Sequence, residues 1–337
     1  MTRGARGRWT TLLAVVLLPL VGCSSGGGHG RANTGPPSQS PPTRLHVEAT
    51  LQVPAAGIVV TTDDRLWVIS GGTMVVTQID PDTNTIVRRV KLPHPAAYGT
   101  VERGSLWLVS EGDSAVIELD AESGTIRRTL EGSPALPLND PVGVAVTGRS
   151  VWVLNHRNAK LLRIDEQTGQ LVHTTRLPGD AAAGPFLVDH ALWVALTAQG
   201  NFHQIDIPAG KIVGRPVHVP TGLCAWESVV GQHIWVTSIP FGDFACTNDT
   251  SRLDTTSRKV TPLTSAEGES LYTFTRYAGR LWATDMHQTL YQVDQASGTL
   301  RPAMTFDNKD ANHLFTAFGS MWMTRSGTGQ LLRLQVS

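Results

Sequence analysis

The chain has 337 residues, with 28 Lys and Arg set against 28 Asp and Glu, so its formal net charge is zero. That balance argues against a nucleic-acid binder, whose footprint is a basic excess. Three cysteines exclude a disulfide-stapled miniprotein, while 41% apolar residues suffice for a large core.

The first element is an address. Arg3, Arg6 and Arg8 precede an apolar run of 11 residues, Leu12–Gly22. A run that short cannot span a bilayer core of about 30 Å, and with its basic flank it reads as a secretory signal peptide over residues 1–22. The run ends Leu20-Val21-Gly22-Cys23, which looks like the lipobox of bacterial lipoproteins. That resemblance implies cleavage before Cys23 and diacylation of its sulfur, anchoring the chain outside the cell membrane by acyl chains worth about 0.8 kcal/mol per buried CH₂. Cleavage removes three basic residues and no acid, leaving a net charge of −3. From Ser24 to Thr43, 15 of 20 residues are Gly, Pro, Ser or Thr, so residues 23–43 read as lipid-anchor cysteine and flexible tether.

The remainder, residues 44–337, is one motif written seven times. Trp67, Trp107, Trp152, Trp193, Trp235, Trp282 and Trp322 each sit between apolar neighbours, at spacings of 40, 45, 41, 42, 47 and 40 residues. Asp80, Asp120, Asp165 and Asp206 lie thirteen residues after the first four, and several open turns such as Asp165-Glu-Gln-Thr-Gly169. In the third unit the pattern predicts strands over Val142–Thr147, Ser150–Asn155, Lys160–Asp165 and Gln170–Leu177. The second of these, apolar at consecutive positions, should be covered on both faces, with its indole between neighbouring sheets. The aspartate accepts backbone hydrogen bonds in a turn, a structural role.

Four-stranded units of 40–45 residues repeated radially define an all-β, seven-bladed β-propeller. The chain resembles propellers of the YVTN and NHL-like kind. The seventh unit stops after its third strand, Leu331–Val336, and Leu45–Val53 resembles a fourth. An N-terminal strand closing the last blade would remove both exposed edges.

In each blade we letter the strands a to d from the channel outward. The d–a and b–c loops then share the face around the channel mouth, and both length departures fall there: Glu131–Pro141 and an insertion over Ile239–Thr250 in blade five. Cys224 and Cys246 map to this face of blade five, and an oxidising compartment predicts a disulfide between them. It would close a loop of about 22 residues and contribute roughly 3 kcal/mol. Zinc, the rival, generally takes four ligands. Nine residues before each tryptophan, allowing one extra turn residue in blade one, stand Gly57, Tyr98, Gly143, Gly184, Trp226, Thr273 and His313. Glycine or threonine there leaves room, whereas Tyr98, Trp226 and His313 project at the rim. The b–c loops add Glu111, Asp113, Asn155, His156, Arg157, Asp285, His287 and Arg325 as candidate binding groups.

Two resemblances bear on chemistry. Trp282-Ala-Thr-Asp285-Met-His287 is similar to the Trp-Phe-Thr-Glu segments of streptogramin lyases, and it implies Asp285 as a divalent-cation ligand and His287 as a base for elimination. It departs in having Asp for Glu and in lacking the Ile-Gly-x-Ile that follows. The Asp-x-x-Thr-Gly turns resemble those of quinoprotein-like scaffold propellers of the bacterial envelope. Neither Gly-x-Ser-x-Gly, His-Glu-x-x-His nor a phosphate loop occurs. The leading expectation is therefore a lipid-anchored, monomeric scaffold that binds an envelope protein or glycan and needs no cofactor. The alternative is a metal-assisted lyase or hydrolase.

Overall fold

A computed structural model describes residues 44–179, 182–220, 225–238, 249–263, 271–285, 289–307 and 312–337. The signal peptide, Cys23 and the tether to residue 43 lie outside the described residues, as do Cys224, Cys246, His287 and residues 239–248 of the blade-five insertion.

β1 (Leu45–Gln52) comes first, followed by blade one: β2 (Ala56–Thr61), β3 (Leu66–Ser70), β4 (Val75–Asp80) and β5 (Thr85–Lys91). Blade two holds β6 (Tyr98–Glu102), β7 (Ser105–Ser110), β8 (Ala115–Asp120) and β9 (Ile126–Glu131). Blade three holds β10 (Pro141–Thr147), β11 (Ser150–Asn155), β12 (Lys160–Asp165) and β13 (Leu171–Arg176). Blade four holds β14 (Ala182–Val188), β15 (Ala191–Leu196), β16 (Asn201–Asp206) and β17 (Lys211–His218). Blade five holds β18 (Ala225–Val230), β19 (His233–Ser238), β20 (Thr250–Asp254) and β21 (Val260–Leu263). Blade six holds β22 (Leu271–Tyr277), β23 (Arg280–Asp285), β24 (Thr289–Val293) and β25 (Leu300–Thr305). Blade seven has three strands of its own, β26 (Asn312–Ala317), β27 (Ser320–Arg325) and β28 (Gln330–Val336).

Six sheets follow chain order, and the seventh runs β1-β28-β27-β26. β1 lies antiparallel to β28, from Leu45 opposite Val336 to Leu51 opposite Leu331, and fills the missing fourth position. The protein is an all-β, seven-bladed β-propeller. Strands b and c of blade three match the sequence reading residue for residue, while a begins at Pro141 and d is shorter than expected.

Each tryptophan wedges into the next blade. Trp67 packs with Leu106, Leu108 and Ile117 of blade two, and Trp322 packs with Leu66 and Val68 of blade one, closing the ring. All seven indoles are 0–3% exposed. Burying 150–250 Å² of ring at about 25 cal/mol per Å² contributes roughly 4–6 kcal/mol per wedge as an upper estimate.

The seams also carry a polar device that sequence spacing did not reveal. Opposite the seven tryptophans, on strand c, stand Gln78, Glu118, Arg163, Gln204, Arg252, Gln292 and Arg333. Arg163 lies 5.4 Å over Trp152 and donates to the Pro208 carbonyl of blade four at 3.0 Å. Arg333 does the same over Trp322, donating to the Pro81 carbonyl of blade one at 2.7 Å. One side chain thus covers its own indole and clips the neighbouring blade.

The aspartates closing strand c act as read. Asp165 Oδ1 accepts the amides of Gln167 at 3.1 Å and Thr168 at 2.8 Å, and Asp254 and Asp294 repeat the turn. In Asp120 the Ser123 amide and hydroxyl, with Arg127 beside them, hold the carboxyl down at about 2.

Candidate functional site: the channel cavity and its mouth

The inner strands of all seven blades enclose a cavity of about 370 Å³. Five residues of the set nine before each tryptophan line it: Tyr98, Gly143, Gly184, Thr273 and His313. In blade one, Ile58 and Val59 take the place of Gly57. The Trp226 side chain lies outside the described residues, although its backbone pairs with Thr237. The register puts the cavity near the mouth, since Tyr98 opposes Val109 and His313 opposes Thr324, next to the b–c loops.

One expectation needs correction. Gly143 does not leave room. A Cβ there would stand 1.8 Å from the Gly184 carbonyl oxygen, so glycine lets β10 and β14 approach each other closely. Thr273 is likewise occupied: its hydroxyl lies 3.0 Å from that of Thr284 and accepts the Leu314 amide at 3.1 Å, joining blades six and seven.

The polar groups around the cavity come from distant blades. Tyr272 Oη lies 3.3 Å from His313 Nε2, and the two rings are 5.3 Å apart. Burial pushes His313 down to about 4, which leaves it neutral at ordinary pH, and pushes the Tyr272 phenol up. Tyr98 is raised too, by burial first and then by the charges of Glu111 and Glu227. Glu227 was missed by the sequence reading. It lines the cavity from β18; burial pushes its carboxyl up to about 8, against a small opposing effect of its own amide. Its Oε1 is shielded and has no hydrogen-bond partner among the described residues. The available signal was a carboxylate inside the apolar strand Ala-Trp-Glu-Ser-Val-Val.

The structure divides the b–c loop residues into two groups. Glu111, Asp113 and Arg157 are exposed at the mouth, and His156 is half-buried beside them. Asn155, Asp285 and Arg325, expected at the rim, are buried instead. Asn155 accepts the Asn139 amide at 3.1 Å and donates to the Pro137 carbonyl at 2.7 Å, holding the long d–a loop. Asp285 accepts the Thr289 amide at 2.8 Å and the Tyr291 hydroxyl at 3.2 Å. Those bonds tie Asp285 to β24 of the same blade. Among the described residues no three His, Cys, Asp or Glu side chains are grouped to hold one. Arg325 lies 4.9 Å over the Phe306 ring and donates to Gln330 at 3.0 Å.

Around Asn155 the mouth loop is built in layers. Leu136 and Leu138 bury themselves in the seam between blades two and three. Ser114 takes the Asp140 amide at 3.2 Å, and Arg157 pairs with the Asp140 carboxylate. His94, also absent from the sequence expectations, bridges Asp113 and Glu131 at 2.9 Å each. Those two hydrogen bonds, Asp113 first, raise its pKa.

Fold and cavity together define a closed propeller with a small central chamber and one elaborated face. The sequence profile of the family described as "Outer membrane protein assembly factor BamB" matches residues 31–299, and the chain belongs to that family. No curated protein matches it in sequence. Among solved structures it is similar to virginiamycin B lyase from Staphylococcus aureus, with 16% identity, a TM-score of 0.70, and coverage of 88% of this chain and 100% of that one. It is also similar to BamB from Moraxella catarrhalis, at 14% identity and TM-score 0.61, covering 86% and 97%. Kuenenia stuttgartiensis hydrazine synthase matches at 14% identity and TM-score 0.64, with the same coverage. At such identities the likeness is one of fold alone.

Proposed function

We propose that the protein is a non-catalytic scaffold of the cell envelope, tethered through a lipid on Cys23 and docking a protein partner on its mouth face. The family's description as an assembly factor supports this reading. The observation that carries it is the buried Asn155, whose amide fixes both Asn139 and Pro137 and so presents the 131–141 loop as a pre-ordered surface. A rigid loop beside an exposed Arg157 lowers the ordering cost of docking. The same reading includes the Cys224–Cys246 disulfide as a clamp on the blade-five loop in an oxidising compartment.

The test is photo-crosslinking in cells from position 157 and from Thr168 on the opposite face. Capture of one defined protein from position 157, absent from 168, is expected. Capture confined to 168, or a glycan in place of the protein, overturns the reading. Asn155→Ala strands two backbone groups, so it should cost about 1–3 kcal/mol in denaturant unfolding and reduce crosslinking from position 157.

A further inference from the structure

Eight residues before each tryptophan, with the same allowance in blade one, stand Ile58, Gly99, Val144, Pro185, Glu227, Phe274 and Leu314. All seven line the cavity. Six are small or apolar and one is a carboxylate. A buried carboxyl oxygen with no partner costs free energy that packing alone does not offset. Its presence at a position where the other six blades hold glycine or hydrocarbon needs a reason outside the fold.

We propose that the cavity binds a small organic cation, its ammonium group seated against the Glu227 carboxylate and its hydrocarbon against the rings of Tyr98 and Phe186. The volume falls within the range of small-molecule sites, about 300–1,000 Å³. The lining sets the aromatic rings of Tyr98 and Phe186 among polar groups from Glu227, Ser228, Thr273 and His313, and aromatic faces attract cations. No Lys or Arg lines the cavity among the described residues, so no internal cation claims the carboxylate. His313 is neutral at ordinary pH.

Proton linkage is built into such a site. A cation selects ionised Glu227, which at neutral pH is the minor form, so binding expels a proton. The titratable groups that line the cavity with Glu227 are Tyr98 and His313; on β22, Tyr272 meets His313, Arg276 is exposed and Tyr277 bonds Gln335 of β28. Glu111 at the mouth adds negative charge near Tyr98. β14 carries no titratable residue, and His233 on β19 pairs with Asp254 away from the cavity. Of the groups lining the cavity, Glu227, held at about 8, lies between His313 at about 4 and Tyr98, raised above its ordinary value.

The experiment is calorimetric titration of the full chain in detergent with choline, whose charge does not change with pH, and with 3,3-dimethylbutanol, its neutral isostere. Choline affinity should rise about tenfold per pH unit up to pH 8 and level above it, with proton release visible in buffers of different ionisation heat. Glu227→Gln should weaken binding at least tenfold at pH 8 and flatten the pH profile. Glu227→Asp should bind more weakly yet keep the rise, which separates loss of charge from loss of fold. Equal affinity for the neutral isostere, affinity that falls above pH 8, binding of magnesium in place of choline, or no binding of choline at millimolar concentration each overturns the proposal. The outcome is independent of the mouth loops and of any docked partner.

Discussion

The seams between blades and the chamber they surround are built from the same repeat to opposite effect. Every seam uses one solution: an indole driven into the next sheet with a polar side chain opposite it. The chamber wall varies: nine residues before the tryptophans, glycine, tyrosine, threonine and histidine line it, and one residue further on Glu227 breaks a position that is otherwise small or apolar. Packing seven like sheets demands seven like wedges, so the seams had no freedom to vary. The chamber wall shares in that packing through Val144, Phe274 and Leu314, and carries its chemistry at the positions between them.

That contrast can be broken by substitution, beginning with the largest effect. Trp152→Ala empties a filled seam and should cost about 3–5 kcal/mol in denaturant unfolding, with loss of the Arg163 clip. A cost under 1 kcal/mol would mean the indoles are not what holds the blades. Gly143→Ala should cost about 1–3 kcal/mol, because β10 and β14 must move apart, and it should widen the chamber between blades three and four. An unchanged midpoint would show that the close approach is relaxed in solution. On the mouth face His94 offers the finest cut. Its pKa is raised by Asp113 and Glu131, so its contribution is complete below the ordinary histidine value of about 6.5 and lost as pH rises through the raised one. Amide exchange in residues 131–141 should therefore quicken as pH climbs through that range, once corrected for intrinsic chemistry. His94→Ala should abolish the pH step, and salt should shrink it, because Asp113 and Glu131 are largely exposed.

Much of the scaffold could be read before any coordinates. The 40–47-residue spacing of the tryptophans counted the blades, and the missing fourth strand after β28 located the closure by β1. The site was less legible. Tyr98 and His313 were found because bulky residues interrupted a small-residue position, but Glu227, one residue beyond Trp226, was passed over when the inner strand was sampled at a single register. Asn155 and Asp285 were misplaced for the reverse reason: a polar residue ending strand b looks exposed in a linear pattern, while Pro137 and Asn139 cover the first and β24 takes the second. His94 was invisible because its partners sit 19 and 37 residues away.

The sequence by itself determined the number of blades, the order of strands and the residues that fill the seams, since those follow from local periodicity and from a repeat that each blade states on its own. Tertiary structure decided which inner-strand side chains share a chamber, which loop residues the mouth buries, and where a carboxyl is denied water. Those properties belong to the closed ring: desolvation and close approach depend on atoms from several blades at once, and no single stretch of chain contains them.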